Sequence, residues 1–239
     1  MPSEPHWKYD PRTHNYVRRG RFVAFSEIRM ITLQAAEASG NTIESLTRRL
    51  IRGELRLDHW QAMMRDALRN EHSAQYMAGK GGRGQMTQRD WGILGNTLRN
   101  QYQFLDTFAQ DIAAGGMTPA QIIARARMYM EDAHQSFWRG YTESLEMPSL
   151  PTYPCHCDTA CLTKDRCQWV IIEILGKEGE RLGWEATWQL DPLADKVHCD
   201  DCPKLATLWN PLWVPAGMSP REATIWRNAE RKKMAALLK

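Results

Sequence analysis

Every cysteine of this chain falls between Cys155 and Cys202, and the residues before Cys155 contain none. In a protein made in a reducing compartment, thiols clustered in this way serve as metal ligands more often than as disulfides. The donors in chain order are Cys155, His156, Cys157, Cys161, Cys167, His198, Cys199 and Cys202. Cys199-Asp-Asp-Cys202 has the two-residue spacing of a zinc knuckle, in which a short turn lets two thiolates converge on one ion. The upstream half offers more donors than a four-coordinate ion needs. The preferred set is Cys161, Cys167, Cys199 and Cys202, with Cys155, Cys157 and His198 as alternates and zinc as the expected cofactor.

Two sharper chemistries fit less well. Nucleobase deaminases place a glutamate two residues after a zinc-binding histidine, and neither histidine of this region has one. A redox Cys-x-x-Cys opens a helix in a βαβ unit, and the pair at 199–202 is not expected to do so. Four thiolates leave no open position for water, so the metal is expected to be structural. Free thiols and disulfides are the remaining alternatives. No Gly-x-Ser-x-Gly or His-Glu-x-x-His occurs, His6, His14, His59, His72 and His134 are scattered, and no catalytic residue is assigned.

The 239 residues, 43% hydrophobic and 25% charged, are ordinary for a globular protein with one large core and a satellite. No run of about 18 apolar residues is present, so no membrane partner is expected. The opening residues lack an apolar signal core, which points to synthesis in the cytosol. A net charge of +3 does not by itself imply a nucleic-acid partner.

The order of elements is α+β and mainly α. Residues 1–25 read as an N-terminal arm or short hairpin, with Arg18, Arg19 and Arg21 able to meet acidic groups. Residues 26–147 read as a bundle of about four helices. The first is bent or divided at Gly40-Asn41, and the second starts at a capping box on Asp58 and Gln61. Gly79–Gly84 is too far from the phosphate-loop pattern to bind nucleotide and reads as a flexible basic linker. The third helix starts at Thr87 with Asp90, and the fourth runs from Thr118-Pro119-Ala120-Gln121 to Tyr141. Residues 148–154 form a proline connector. Residues 155–218 make a zinc-ribbon-like module around a hairpin of 167–174 with 185–190, and residues 219–239 a basic C-terminal helix opened by Ser219-Pro220-Arg221-Glu222.

Several stretches together resemble a family of bacteriophage minor head, or head-morphogenesis, structural proteins. They are GlyArgPheVal (20–23), MetThrGlnArgAspTrpGlyIleLeuGly (86–95), GlnTyrGlnPheLeu (101–105), LeuProThrTyrPro (150–154), CysLeuThrLysAspArgCysGlnTrp (161–169), TrpGlnLeu (188–190), HisCysAspAspCys (198–202) and TrpAsnPro (209–211). The family often has a further cysteine four places after the equivalent of Cys161, where this chain has Asp165. The resemblance implies a non-enzymatic virion component that docks on portal, major capsid or neck proteins, with homo-oligomer formation in view. It would sit in the virion and, during assembly, in the host cytoplasm. The alternative expectation is a zinc-stabilised protein contacting DNA through the basic arm and the last helix.

Overall fold

The computed structural model describes residues 8–10, 13, 15–18, 20–164, 167–191 and 198–239; Arg19, Asp165 and the histidines at 6 and 14 lie outside the described residues. The chain is α+β and forms two compact units that divide between Tyr141 and Thr142.

Three strands, β1 (Lys8–Asp10), β2 (Asn15–Arg18) and β3 (Arg21–Val23), open the first unit as an antiparallel sheet in the order β1-β2-β3. Side chains alternate along a strand, so the register that aligns Tyr9 with Tyr16 and Tyr16 with Val23 gathers three buried apolar groups on one face. The arm is therefore a packed element. Tyr16 donates its hydroxyl to the carbonyl of Gly79, and the Tyr9 amide donates to the carbonyl of Gly81 at 3.3 Å.

Five helices follow: α1 (Phe25–Ile51), α2 (Leu57–Lys80), α3 (Gln88–Ala113), α4 (Pro119–Asp132) and α5 (His134–Ser144), the last of which runs across the division between the units. The expected count was about four, and the fourth helix is broken at Ala133. By contrast α1 continues through Gly40. Arg127 of α4 reaches across to Asn41 and Glu44, at 3.0 and 2.7 Å, and covers the position where the sequence anticipated a bend. The start of α2 also differs, because Arg56 takes the capping position with no side-chain bond to the helix amides, and Asp58 sits in the first turn, where its carboxylate accepts from the Arg56 guanidinium at 2.9 Å. The boxes at Thr87 with Asp90 and Thr118 with Gln121 form as read.

Ile43, Trp60, Met64, Leu68, Leu105, Phe108, Ala126 and Met130 make the bundle core, with Trp60 edge-on to Phe108 and its indole N–H donating to Thr47 at 3.2 Å. The glycine-rich segment is built into the packing and is not a loose linker. A Cβ on Gly79 would lie 1.9 Å from the Phe137 carbonyl oxygen, and one on Gly140 would lie 2.2 Å from that of Tyr76, so α2 and α5 touch backbone to backbone. Gly81 ends α2 in the left-handed region at φ 94°, with Tyr9 against its Cα.

Between the helices lies a buried polar chain. Glu71 accepts from Ser39 (2.6 Å) and Gln75 (2.9 Å), Gln75 also donates to the Thr32 carbonyl, and Asp132 accepts from Gln101 at 2.6 Å. His72 is fully buried, with Nδ1 2.8 Å from the Ser136 hydroxyl and Nε2 4.0 Å from Asp132. Burial, aided by the charge of Arg139, pushes the His72 pKa from 6.5 down to about 3.

The second unit contains a three-stranded antiparallel sheet, β4 (Gln168–Leu175), β5 (Arg181–Gln189) and β6 (Leu212–Pro215), in that order, together with α6 (Asp201–Leu208) and α7 (Pro220–Leu237). The expected hairpin is β4 and β5, and β6 is an addition the sequence reading did not include. Trp169 and Trp188 face each other across the pair with ring centres 5.1 Å apart, and Trp209 closes the cluster 5.2 Å from Trp169. Residues 148–154 belong to this unit and are packed into it. Leu150, Thr152 and Tyr153 are buried, the Leu150 amide donates to the Tyr153 hydroxyl at 3.1 Å, and the Trp169 indole N–H donates to the Thr152 carbonyl at 3.0 Å.

Two outcomes test this packing. Gly79→Ala should destabilise the first unit by about 3 kcal/mol, at the upper end for overpacking. Gly95→Ala, whose Cβ would enter open space on α3, should stabilise by about 0.5–1 kcal/mol. Thermal melts of the two variants should move in opposite directions. His72 gives a pH signature. The unfolded chain takes up this proton near pH 6.5 and the folded one only near 3, so the contribution is complete above 6.5 and is lost as pH falls through that window. The full effect is at most about 5 kcal/mol. Urea melts from pH 7 to 4 should therefore show a steeper acid loss for the parent chain than for His72→Gln.

Candidate metal centre

The two halves of the cysteine region meet at the start of α6. Cys199 precedes this helix and Cys202 lies in its first turn, with the Cys202 amide donating to the Cys199 carbonyl at 3.3 Å. The pair thus opens a helix, though not one in a βαβ unit. The strands that flank it, β5 and β6, are antiparallel neighbours, so the surrounding βαβ unit of a redox motif is missing from the arrangement.

Cys161 comes from the other half. The loop 155–161 ends against α6, where the Ala160 amide donates to the Asp201 carboxylate at 2.8 Å. Asp201 stands in the first helical turn, where the free amides and the helix dipole favour a negative group. Beside this bond Cys161 Sγ lies 3.9 Å from Cys202 Sγ, and Cys199 Sγ lies 3.5 Å from Cys202 Sγ. All three sulfurs are within 4.8 Å of one another, close enough to hold a metal ion. A tetrahedral ion with metal–sulfur bonds of about 2.3 Å sets its sulfurs about 3.8 Å apart, and the spacings of 3.5 and 3.9 Å bracket that edge.

Hydrogen bonding lowers the Cys199 thiol pKa. Burial pushes the Cys199 thiol up, but hydrogen bonding from Cys161, from the backbone and thiol of Cys202 and from the Asp201 backbone outweighs it, and Cys199 is held below its ordinary value.

Of the sequence-predicted donors, Cys161, Cys199 and Cys202 converge. Cys167 lies outside that group, fully buried, with Sγ 3.9 Å from Nδ1 of His198. Cys155 is buried and Cys157 exposed, both at positive φ (69° and 63°), and neither joins the three. Their loop is organised instead around Asp158, which the sequence reading passed over. Asp158 accepts from the Thr152 hydroxyl, lies 3.0 Å from His156 Nδ1, and faces Arg231 of α7 at 3.7 Å. Burial would raise the Asp158 carboxyl, yet His156, Thr152 and Arg231 together hold it below the usual range. Asp201 was the second residue missed, and its signal was present as an acid placed where Cys199-x-x-Cys202 would start a helix.

Fold and site together define an α+β protein with a thiol-rich, metal-competent centre in its second unit. Compared with family models, with curated proteins and with solved structures, the chain matches none of them.

Asp201→Ala removes the acceptor that joins the loop to the helix. It should cost about 1 kcal/mol in the second unit and lower metal affinity by roughly 10- to 100-fold, measured by competition with a chromophoric chelator.

Proposed function

We propose that this chain is a non-enzymatic structural component of a bacteriophage virion, a minor head, portal-associated or neck protein, whose second unit is stapled by one structural zinc. The observation that carries the metal half of this reading is the convergence of Cys161, Cys199 and Cys202 at tetrahedral spacing from two segments far apart in sequence. Cys167 and His198, facing each other at 3.9 Å, supply the donors for the fourth position. Zinc bound there would supply no reaction; it would cross-link the loop 155–161 to α6, and a shell closed by four protein ligands would exclude the water that a catalytic zinc needs. The phage half rests on the motif resemblance between 20–23 and 209–211.

The DNA-binding alternative draws less support. Two cations of α7 are already engaged, Arg231 with Asp158 at 3.7 Å and Lys233 with Glu230 at 2.6 Å.

Elemental analysis of the full chain purified without chelator should give about one zinc per chain; six freely titrating thiols and no metal would sink the site. For the virion role, quantitative mass spectrometry of purified particles of the encoding phage should find the chain at a fixed copy number. Particles that lack it would contradict the assignment.

A further inference from the structure

The sheet of the second unit has a helical layer on one face only. Trp169, Trp184 and Trp188 point to the covered face and are buried, and α7 packs on that side through Glu230 and the indole of Trp209. The opposite face carries Val170, Ile172 and Trp213, which are 38%, 55% and 43% exposed. Ile172, Glu185 and Trp213 stand in one row across the three strands, and the Trp213 ring lies against Gly183, where a Cβ would come within 2.8 Å of it. A strand with one solvated face alternates apolar and polar residues, whereas β4 reads TrpValIleIleGluIleLeu over 169–175, close to the pattern of a strand covered on both sides. Glu185 is the one charge in the row, and its carboxylate meets no cation among the described residues.

We propose that this bare face docks α7 of a second copy of the chain. The outward side of α7 lies opposite its buried residues Glu230 and Met234, and it carries Arg221, Ile225 and Lys232 at helical spacing. Ile225 is 61% exposed. Neither Arg221 nor Lys232 has an ion pair among the described residues, whereas Arg231 and Lys233 are engaged. An apolar face with one unpaired carboxylate thus meets an apolar side chain flanked by two unpaired cations. The lengths agree, since the eight residues of β4 span about 26 Å and the 18 of α7 about 27 Å. Pairing of two identical sheet faces would instead set Glu185 against its own copy, and like charges at a contact are costly. The two surfaces lie on opposite sides of the second unit, so the contact is head to tail. Each copy then keeps one surface of each kind for the next, which gives a closed ring or an open fibre. The contact goes beyond the metal site and the virion role and depends on neither.

Sedimentation velocity of the full chain, purified without chelator, should show species larger than the monomer that grow with concentration and shrink as salt screens the charges. Glu185→Lys and the double variant Arg221→Glu with Lys232→Glu should each weaken self-association at least about tenfold, since each sets like charges in contact. Mixing the two variants should restore it, because the cationic helix of the first meets the acidic sheet of the second, and the reversed pair matches as well. Damage to the fold is not repaired by mixing, so this restoration separates docking from misfolding. A parent chain that stays monomeric, variants that associate like the parent, or a mixture that does not recover would each overturn the proposal.

Discussion

The second unit depends on a junction between a loop and a helix start. The loop 155–161 has little regular structure, and it is fixed to α6 by the Ala160 amide on the Asp201 carboxylate and by the approach of Cys161 to Cys199 and Cys202. A hydrogen bond of this kind contributes about 1 kcal/mol, too little by itself to order a loop with two non-glycine residues at positive φ, Cys155 and Cys157. A structural zinc supplies far more, about 10–16 kcal/mol in isolated zinc-binding peptides. On the proposed metal site, a cross-link at the three sulfurs would add to the contacts of Asp158 in holding the loop. The tryptophan cluster of Trp169, Trp188 and Trp209 gives the sheet beside it a core of its own, and Glu230 of α7, 3.4 Å from the Trp209 indole nitrogen, ties the last helix to that core.

The first unit is stabilised differently. Its apolar core around Trp60, Phe108 and Met130 is accompanied by a polar interior of Glu71, His72, Gln75, Gln101 and Asp132. Buried polar groups contribute favourably only when their partners are in place, so this chain constrains how the helices can be arranged. The backbone contact at Gly79 and Gly140 adds a steric constraint, because two helices can approach this closely only where both lack a Cβ. No helix among the described residues is long and apolar enough to cross a membrane.

Much of this was legible in the sequence wherever the signal is local. The boxes at Thr87, Thr118 and Ser219 marked three helix starts, and the β-branched and aromatic run at 167–174 marked the strand Gln168–Leu175. Local pattern failed where a distant residue decides. Arg127 carries α1 straight through Gly40-Asn41, Phe137 and Tyr141 turn an apparent glycine linker into a helix crossing, and Ala133 breaks a continuous apolar stripe without a proline or glycine to announce it. At the site, the knuckle spacing of Cys199 and Cys202 was readable, since it depends on one turn. The choice among the upstream thiols was not, because it depends on where the 155–161 loop is anchored, and the anchor, Asp201, is 41 residues away.

The central claim, that a metal on Cys161, Cys199 and Cys202 holds the second unit together, is tested most directly by amide hydrogen exchange on the full chain before and after removal of zinc with a strong chelator. Protection should fall in the loop 155–161 and in α6, and remain unchanged in α1 to α4 of the first unit. Unchanged protection around Cys161 and α6 after the metal is gone, or equal loss across the whole chain, would contradict it.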